Sequence, residues 1–206
     1  MKHVFVESNW VFDFCAPAHR STPEAQALAL RAAKGELVLH VPSVSLREAG
    51  NAIRQKCQPS AHKELREFRR WATANGKVGA ATAAEAATFL DTYVSSVQVE
   101  IATLDTRLNA IRGLEGVEVF ALDERMLEQA ITLRQQVATL KPFDEAILAA
   151  VLVKTNDVTA AGAAEVFFCN LDGDLVPFDR KGNPRKELVT LYDAAGIKAR
   201  QDFLVP

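Results

Sequence analysis

Residues 36–41 (ELVLHV) run directly into residues 42–56 (PSVSLREAGNAIRQK), and this pair of segments decides the fold. The first segment is short and mainly apolar, which favours a buried strand. Pro42 and Ser43 end the strand and start a helix, on which Leu46 and Ile53 fall along one apolar stripe. The two segments together predict a strand that passes at once into a helix, as in α/β proteins.

The same alternation continues on both sides of this unit. Further strands are predicted by apolar runs at residues 4–6, 117–122 and 165–169, with an edge strand within residues 197–204. Helices are predicted over residues 21–34, 44–56, 61–74, 83–111 and 186–194, after Asp123, and from Pro142 onward. Short apolar strands that alternate with helices are typical of a mostly parallel sheet covered on both faces. We therefore expect one domain over residues 1–206, with residues 59–115 as a helical insertion.

Composition excludes several classes of protein. The chain has 206 residues, of which 49% are hydrophobic, and its formal net charge is −2. These values exclude dominant disorder and a globally basic nucleic-acid binder, although a local basic patch stays open. Three separated cysteines and four histidines disfavour a structural zinc site and a disulfide framework. The longest apolar run, residues 146–153, is too short to cross a bilayer, so we expect a cytoplasmic protein with no membrane contact.

Acidic residues follow the predicted strands or open the helices after them. Ligands of open parallel sheets bind just past the carboxyl ends of the strands, so these residues are expected to converge at one edge. Carboxylates that converge with few cationic neighbours repel one another, and a hard divalent cation such as Mg²⁺ or Mn²⁺ relieves that repulsion. The positions concerned are Glu7, Glu48, Asp144, Asp172 and Asp174, with Ser8 and Asn9 as supporting residues.

Four segments in this order resemble the motifs of the PIN domain, a metal-dependent nuclease fold. They are residues 6–9 (VESN) after the first strand, 42–49 (PSVSLREA), 143–150 (FDEAILAA) and 170–175 (NLDGDL). The resemblance covers roughly residues 3–58 and 116–178. It implies a PIN-like three-layer α/β/α domain and an endoribonuclease dependent on Mg²⁺ or Mn²⁺.

The resemblance also implies roles for the acidic residues. Glu7, Glu48, Asp144 and Asp172 would be catalytic metal ligands, and Asp174 a further ligand. Glu7 stands where the family usually has Asp, and its carboxylate reaches one methylene further; Asn170 stands where the family has a hydroxyl residue. Either departure leaves open a PIN-like module that has lost catalysis and binds RNA or a protein instead.

Residues 54–77 are the most basic stretch of the chain, with seven Lys or Arg against two Glu. Neutralisation of phosphates is what RNA binding requires, and a solvated amphipathic helix is the alternative. The RNA-binding candidates are Arg54, Lys56, Lys63, Arg66, Arg69 and Arg70. An RNA substrate is the expected partner, and two further partners are left open: an antitoxin protein that plugs the acidic cleft, and a second copy of the chain.

Overall fold

The computed structural model describes residues 1–57, 63–179 and 181–206, and these residues form an α/β fold. The strands are β1 (Lys2–Val6), β2 (Leu37–Pro42), β3 (Val117–Phe120), β4 (Glu165–Cys169) and β5 (Ile197–Arg200). The helices are α1 (Ser8–Cys15), α2 (Pro23–Ala33), α3 (Ser43–Lys56), α4 (Lys63–Ala74), α5 (Ala80–Ala102), α6 (Leu104–Ala110), α7 (Glu124–Gln136), α8 (Pro142–Ala160) and α9 (Lys186–Ala195). The predicted alternation of strands and helices is confirmed.

The strands form one sheet in the order β3-β2-β1-β4-β5, and every pair is parallel. The chain therefore starts at the middle strand, builds outward to β3, and then returns to the other side of β1 to build β4 and β5. The order reverses between β1 and β4, and such a switch point leaves a crevice at the carboxyl ends of the two strands. The expected edge strand is β5, which is shorter than the predicted segment.

Side chains of each strand point alternately to two apolar layers, because successive residues of a strand face opposite sides of the sheet. Val4 and Val6 of β1 pack with α1, α2, α3 and α6 on one face. Phe5 packs with α7, α8 and α9 on the other face. The sheet thus lies between two layers of helices, both of which exclude water from it.

The predicted insertion is mainly helical over its described residues, with a non-helical link at residues 75–79 between α4 and α5, and its residues 59–62 lie outside the described part of the chain. The single helix predicted over residues 83–111 is wrong, because α5 ends at Ala102 and α6 begins at Leu104. The Thr103 hydroxyl donates hydrogen bonds to the carbonyls of Val99 and Glu100, at 3.4 and 3.1 Å. A hydroxyl that bonds to preceding carbonyls in this way competes with the regular helical pattern.

Among residues 1–57, 63–179 and 181–206, no helix is both long enough and apolar enough to cross a membrane.

Candidate active site at the carboxyl edge of the sheet

Glu7 and Asn170 are the first residues after the two strands that flank the switch point. Val6 of β1 lies opposite Cys169 of β4, so the next residue of each strand enters the crevice. Glu7 is only 3% exposed. Its carboxylate accepts hydrogen bonds from the Ser8 hydroxyl at 2.7 Å, from the Asn9 backbone N–H at 3.1 Å and from the Asn9 amide. Glu7 therefore caps the amino terminus of α1, and Ser8 and Asn9 hold its carboxylate in place.

Asp144 lies in the first turn of α8, where Pro142 starts the helix. Its side chain is buried, and its Oδ2 atom has no hydrogen-bond partner among the described residues. Burial, together with the negative charge of Asp172, raises the pKa of Asp144 to about 6. An unpaired buried carboxylate oxygen is costly, and such an atom in a cleft is a candidate for ligand binding.

Asp172 lies in the loop after β4, and its charge affects the pKa values of two of the other carboxylates. Its charge contributes to the raised pKa of Glu7 and to that of Asp144, although burial is the larger cause for both groups. The Asp172 Oδ1 atom accepts the backbone N–H of Asp174 at 2.8 Å, which fixes the loop in an Asx turn. The turn thereby positions one carboxylate between elements that are far apart in the sequence.

Asp174 belongs to the same loop but has a cationic partner. Its Oδ2 atom lies 2.8 Å from the Lys141 ammonium, and this hydrogen bond lowers the pKa of Asp174. The ion pair joins the loop after β4 to the residue just before α8. Asp174 is therefore neutralised in place, in contrast to Asp144.

Glu48 lies on α3 and is half-buried. Among the charges that raise the pKa of Asp144, that of Glu48 has a smaller effect than those of Asp172 and Asp174. Glu48 therefore faces the same edge but interacts only weakly with Asp144. Together with Glu7, Asp144 and Asp172 it forms what we call the carboxylate cluster. These four residues come from four separate segments, as the sequence predicts.

Two buried polar residues at this edge were not among the predicted site residues. Asn170 is fully buried, and neither atom of its side-chain amide has a partner among the described residues. Ser45, in the first turn of α3, is also fully buried with an unpartnered hydroxyl. Most buried polar atoms in proteins are paired, so these atoms mark the edge as incomplete without a ligand or water. Their position directly after parallel strands was the available signal.

The donor set at this edge consists of oxygen and amide atoms, which suit Mg²⁺ and Mn²⁺ rather than softer metals. Within the part of the chain that the structure describes, no three acidic, histidine or cysteine side chains are grouped closely enough to hold a metal ion as placed. Mg²⁺, however, is usually held by one or two carboxylates together with waters and substrate phosphates. Asp144 and Asp172 fit such a site, with the free Oδ2 of Asp144 as the available ligand atom.

Most of the predicted RNA-binding residues contact neighbours on their own surface. Three of them form ion pairs: Arg54 with Asp105 at 2.5 Å, Arg66 with Asp91 at 2.9 Å, and Lys63 with Glu67 at 3.7 Å. Two others contact neutral groups, since the Lys56 ammonium lies over the Phe12 ring and Arg69 donates to the Ala83 carbonyl. Arg70 is exposed. Neighbouring carboxylates therefore balance part of the positive charge of the basic stretch.

Comparison of the chain with protein-family models, with curated proteins and with solved structures gave no significant match.

Proposed function

We propose that this chain is a Mg²⁺- or Mn²⁺-dependent endoribonuclease of the PIN type, acting in the cytoplasm. The observation that supports this most directly is the buried and unpartnered Oδ2 atom of Asp144, next to the like charge of Asp172. Neither carboxylate has an ion-pair partner among the described residues, and the charge of Lys141, which is paired with Asp174, offsets only part of their repulsion. A divalent cation is the simplest group that balances the rest.

Asp144 and Asp172 would hold the ion, with Glu48 and Glu7 contributing negative charge around it. When bound, the ion polarises a phosphoryl oxygen and lowers the pKa of a bound water. Water adds to the phosphorus and the 3′ oxygen leaves, which produces a 5′-phosphate and a 3′-hydroxyl, as the PIN resemblance implies. The hydrogen bonds from Ser8 and Asn9 fix Glu7, so its carboxylate keeps one position during the reaction.

The proposal is tested by cleavage of a labelled single-stranded RNA in Mn²⁺ with the wild type and two matched carboxamide variants. Asp144→Asn removes the unpaired charge, and we expect it to lower the cleavage rate by at least about a thousandfold. Asp174→Asn removes a charge that Lys141 already balances, and we expect a loss of about tenfold or less. Equal activity of Asp144→Asn and the wild type would contradict the proposal, as would a wild type that cleaves nothing.

A second candidate function is a PIN-like module without catalysis, which binds RNA or a protein. The observation in its favour is that Ser8 and Asn9 between them bond to both carboxylate oxygens of Glu7. A carboxylate whose two oxygens accept these hydrogen bonds stabilises its own loop and has less capacity to bind a metal ion. The two candidates differ in metal affinity, because only the nuclease requires saturable binding of Mn²⁺ at the carboxylate cluster.

A further inference from the structure

A groove of about 250 Å³ lies between α3 and α6, on the side of the molecule where α3 leaves the sheet. It begins at Ser43, the first residue of α3, and its floor is formed by Leu46, Gly50 and Leu108. Because α3 follows β2 without a break, the groove begins at the carboxyl edge of the sheet that carries the carboxylate cluster. We call it the α3–α6 groove.

Gly50 permits the close approach of the two helices. A Cβ atom at this position would lie 2.9 Å from the Leu108 Cδ1 atom, closer than carbon atoms pack. The polar residues of α3 that line the groove are Arg47, Asn51 and Arg54, spaced four and three residues apart. This spacing places them along one face of the helix, so they form a row that leads away from Ser43.

The α3–α6 groove carries more positive than negative charge. Arg47, Arg54 and Arg112 line it, against the single carboxylate of Asp105, which pairs with Arg54. The side chains of Arg47 and Arg112 are exposed and make no ion pair or hydrogen bond within the described residues. Two guanidinium groups are therefore available on opposite walls of one groove. Asn51 and Asn109 add amide groups beside them.

We propose that the α3–α6 groove binds the sugar–phosphate backbone of a single RNA strand and leads it to the carboxylate cluster. This inference rests on the proposed nuclease function, and it names where the substrate lies. Arginine and asparagine side chains are common donors to phosphate oxygens in nucleic-acid complexes. Arg47 immediately precedes Glu48 on α3, so a strand held by Arg47 passes close to a member of the carboxylate cluster.

The α3–α6 groove differs in this respect from α4, where the sequence places most of the RNA-binding candidates. On α4, Lys63 and Arg66 each have an acidic partner within 4 Å. A phosphate that binds to Lys63 or Arg66 must displace a carboxylate, whereas Arg47 and Arg112 accept one without losing a contact. The groove is therefore the better site for backbone phosphates.

The test is fluorescence anisotropy with a labelled 12-nucleotide RNA, in EDTA so that no cleavage occurs, over a range of salt concentrations. We compare the wild type with the double variant Arg47→Ala/Arg112→Ala. The matched control, Lys63→Ala/Arg66→Ala, removes the same charge from two residues of α4 that already have acidic partners. We expect the groove variant to bind about tenfold more weakly, with a log–log salt slope shallower by about 1.4, as for two lost phosphate contacts to a single strand. The control should stay within about twofold of the wild type.

A variant that gains affinity makes the test independent of folding defects. Asp105→Asn removes the only acidic side chain that lines the groove, and we expect binding to tighten by about threefold. Similar losses for RNA and for DNA of the same sequence would support backbone contacts, while a loss limited to one base sequence would contradict them. Unchanged binding by the groove variant, or a larger loss in the α4 control, would overturn the proposal. Failure of the nuclease proposal would look different, since RNA would then bind without being cleaved in Mn²⁺.

Discussion

Two groups of polar side chains lie against the same sheet, each with at least one buried member, and they differ in how their charges are balanced. The first group, which we call the histidine cluster, consists of His3, His40, Glu118 and Lys154. His40 Nε2 lies 2.8 Å from His3 Nδ1, and His40 Nδ1 lies 2.9 Å from Glu118 Oε2, although the second contact lacks the alignment of a hydrogen bond. Lys154 completes the row with an ion pair to Glu118 at 2.6 Å.

The second group is the carboxylate cluster, where Asp144 faces Asp172 and neither has an ion-pair partner among the described residues. Burial lowers the pKa of His40 to about 4 and raises that of Asp144 to about 6, so both folded environments favour the neutral form. In the histidine cluster, neighbouring residues supply opposite charges. In the carboxylate cluster, Lys141 is paired with Asp174, and the nuclease proposal requires a divalent cation to supply the balancing charge for Asp144 and Asp172. Burial is therefore common to both groups, and what distinguishes Asp144 as the candidate ligand is that it lacks an ion-pair partner among the described residues.

The largest effect on stability that we predict comes from the histidine cluster. Folded His40 takes up a proton only near pH 4, whereas an unfolded histidine does so near pH 6.5. The unfolded state therefore gains protons first as the pH falls, and stability that is complete above pH 6.5 is lost down to about pH 4. We expect a loss of about 3 kcal/mol over this window in urea unfolding, since a pKa difference of one unit corresponds to about 1.4 kcal/mol.

His40→Phe serves as the control for that measurement. Phenylalanine keeps a ring against Phe5, which stacks on His40 with ring centres 4.7 Å apart, and it cannot take up a proton. His3, Glu118 and Lys154 remain around it. We expect the variant to lose most of the pH dependence between pH 6.5 and 4, and an unchanged dependence would show that His40 is not its source.

A smaller effect of opposite sense is expected in the carboxylate cluster. Asp144 ionises near pH 6 in the fold and near pH 3.8 when unfolded. The penalty for the buried charge therefore grows as the pH rises from about 4 to 6 and is constant above that range. Asp144→Asn removes it, so we expect the variant to be more stable than the wild type by about 1 kcal/mol at pH 8. Thermal unfolding at pH 8 and pH 4 measures this, and a destabilised variant at pH 8 would assign Asp144 a structural role instead.

The smallest effect is expected from Lys141, whose charge lies near Asp144, Asp172 and Asp174. Lys141→Gln removes a cation that competes with a metal ion for these carboxylates. We expect the variant to bind Mn²⁺ about two- to threefold more tightly in calorimetric titrations, since exposed charges act weakly through solvent. Weaker binding by Lys141→Gln would show that Lys141 supports the site rather than opposing the ion.

The sequence predicted the strands because a short apolar run indicates a buried strand. It also placed Glu7 and Asp172 directly after strands, whereas the convergence of the carboxylates on a metal ion stays a prediction. Pairings between distant segments carry no such pattern. No local sequence pattern indicates that His3 contacts His40 or that Arg47 and Arg112 line one groove. In the same way, the apolar periodicity of the predicted helix continues past Thr103, where the helix is interrupted.

The same limit applies to the state of each charged residue. Sequence alone could not show that Asp174 has a cationic partner while Asp144 does not, because the partner, Lys141, is 33 positions away from Asp174 and three from Asp144. It also could not show that both side-chain atoms of Asn170 stay unpaired in the core. These differences depend on how the loops close over the edge of the sheet.

The most direct test of the account is a calorimetric titration of Mn²⁺ into the wild type and into Asp144→Asn at pH 7.5, where Asp144 is ionised. The account predicts saturable binding to the wild type and binding at least tenfold weaker to the variant, since a metal ligand must carry its charge. A wild type that binds no Mn²⁺, or a variant that binds it as tightly as the wild type, would contradict the central claim that the carboxylate cluster is completed by a divalent cation.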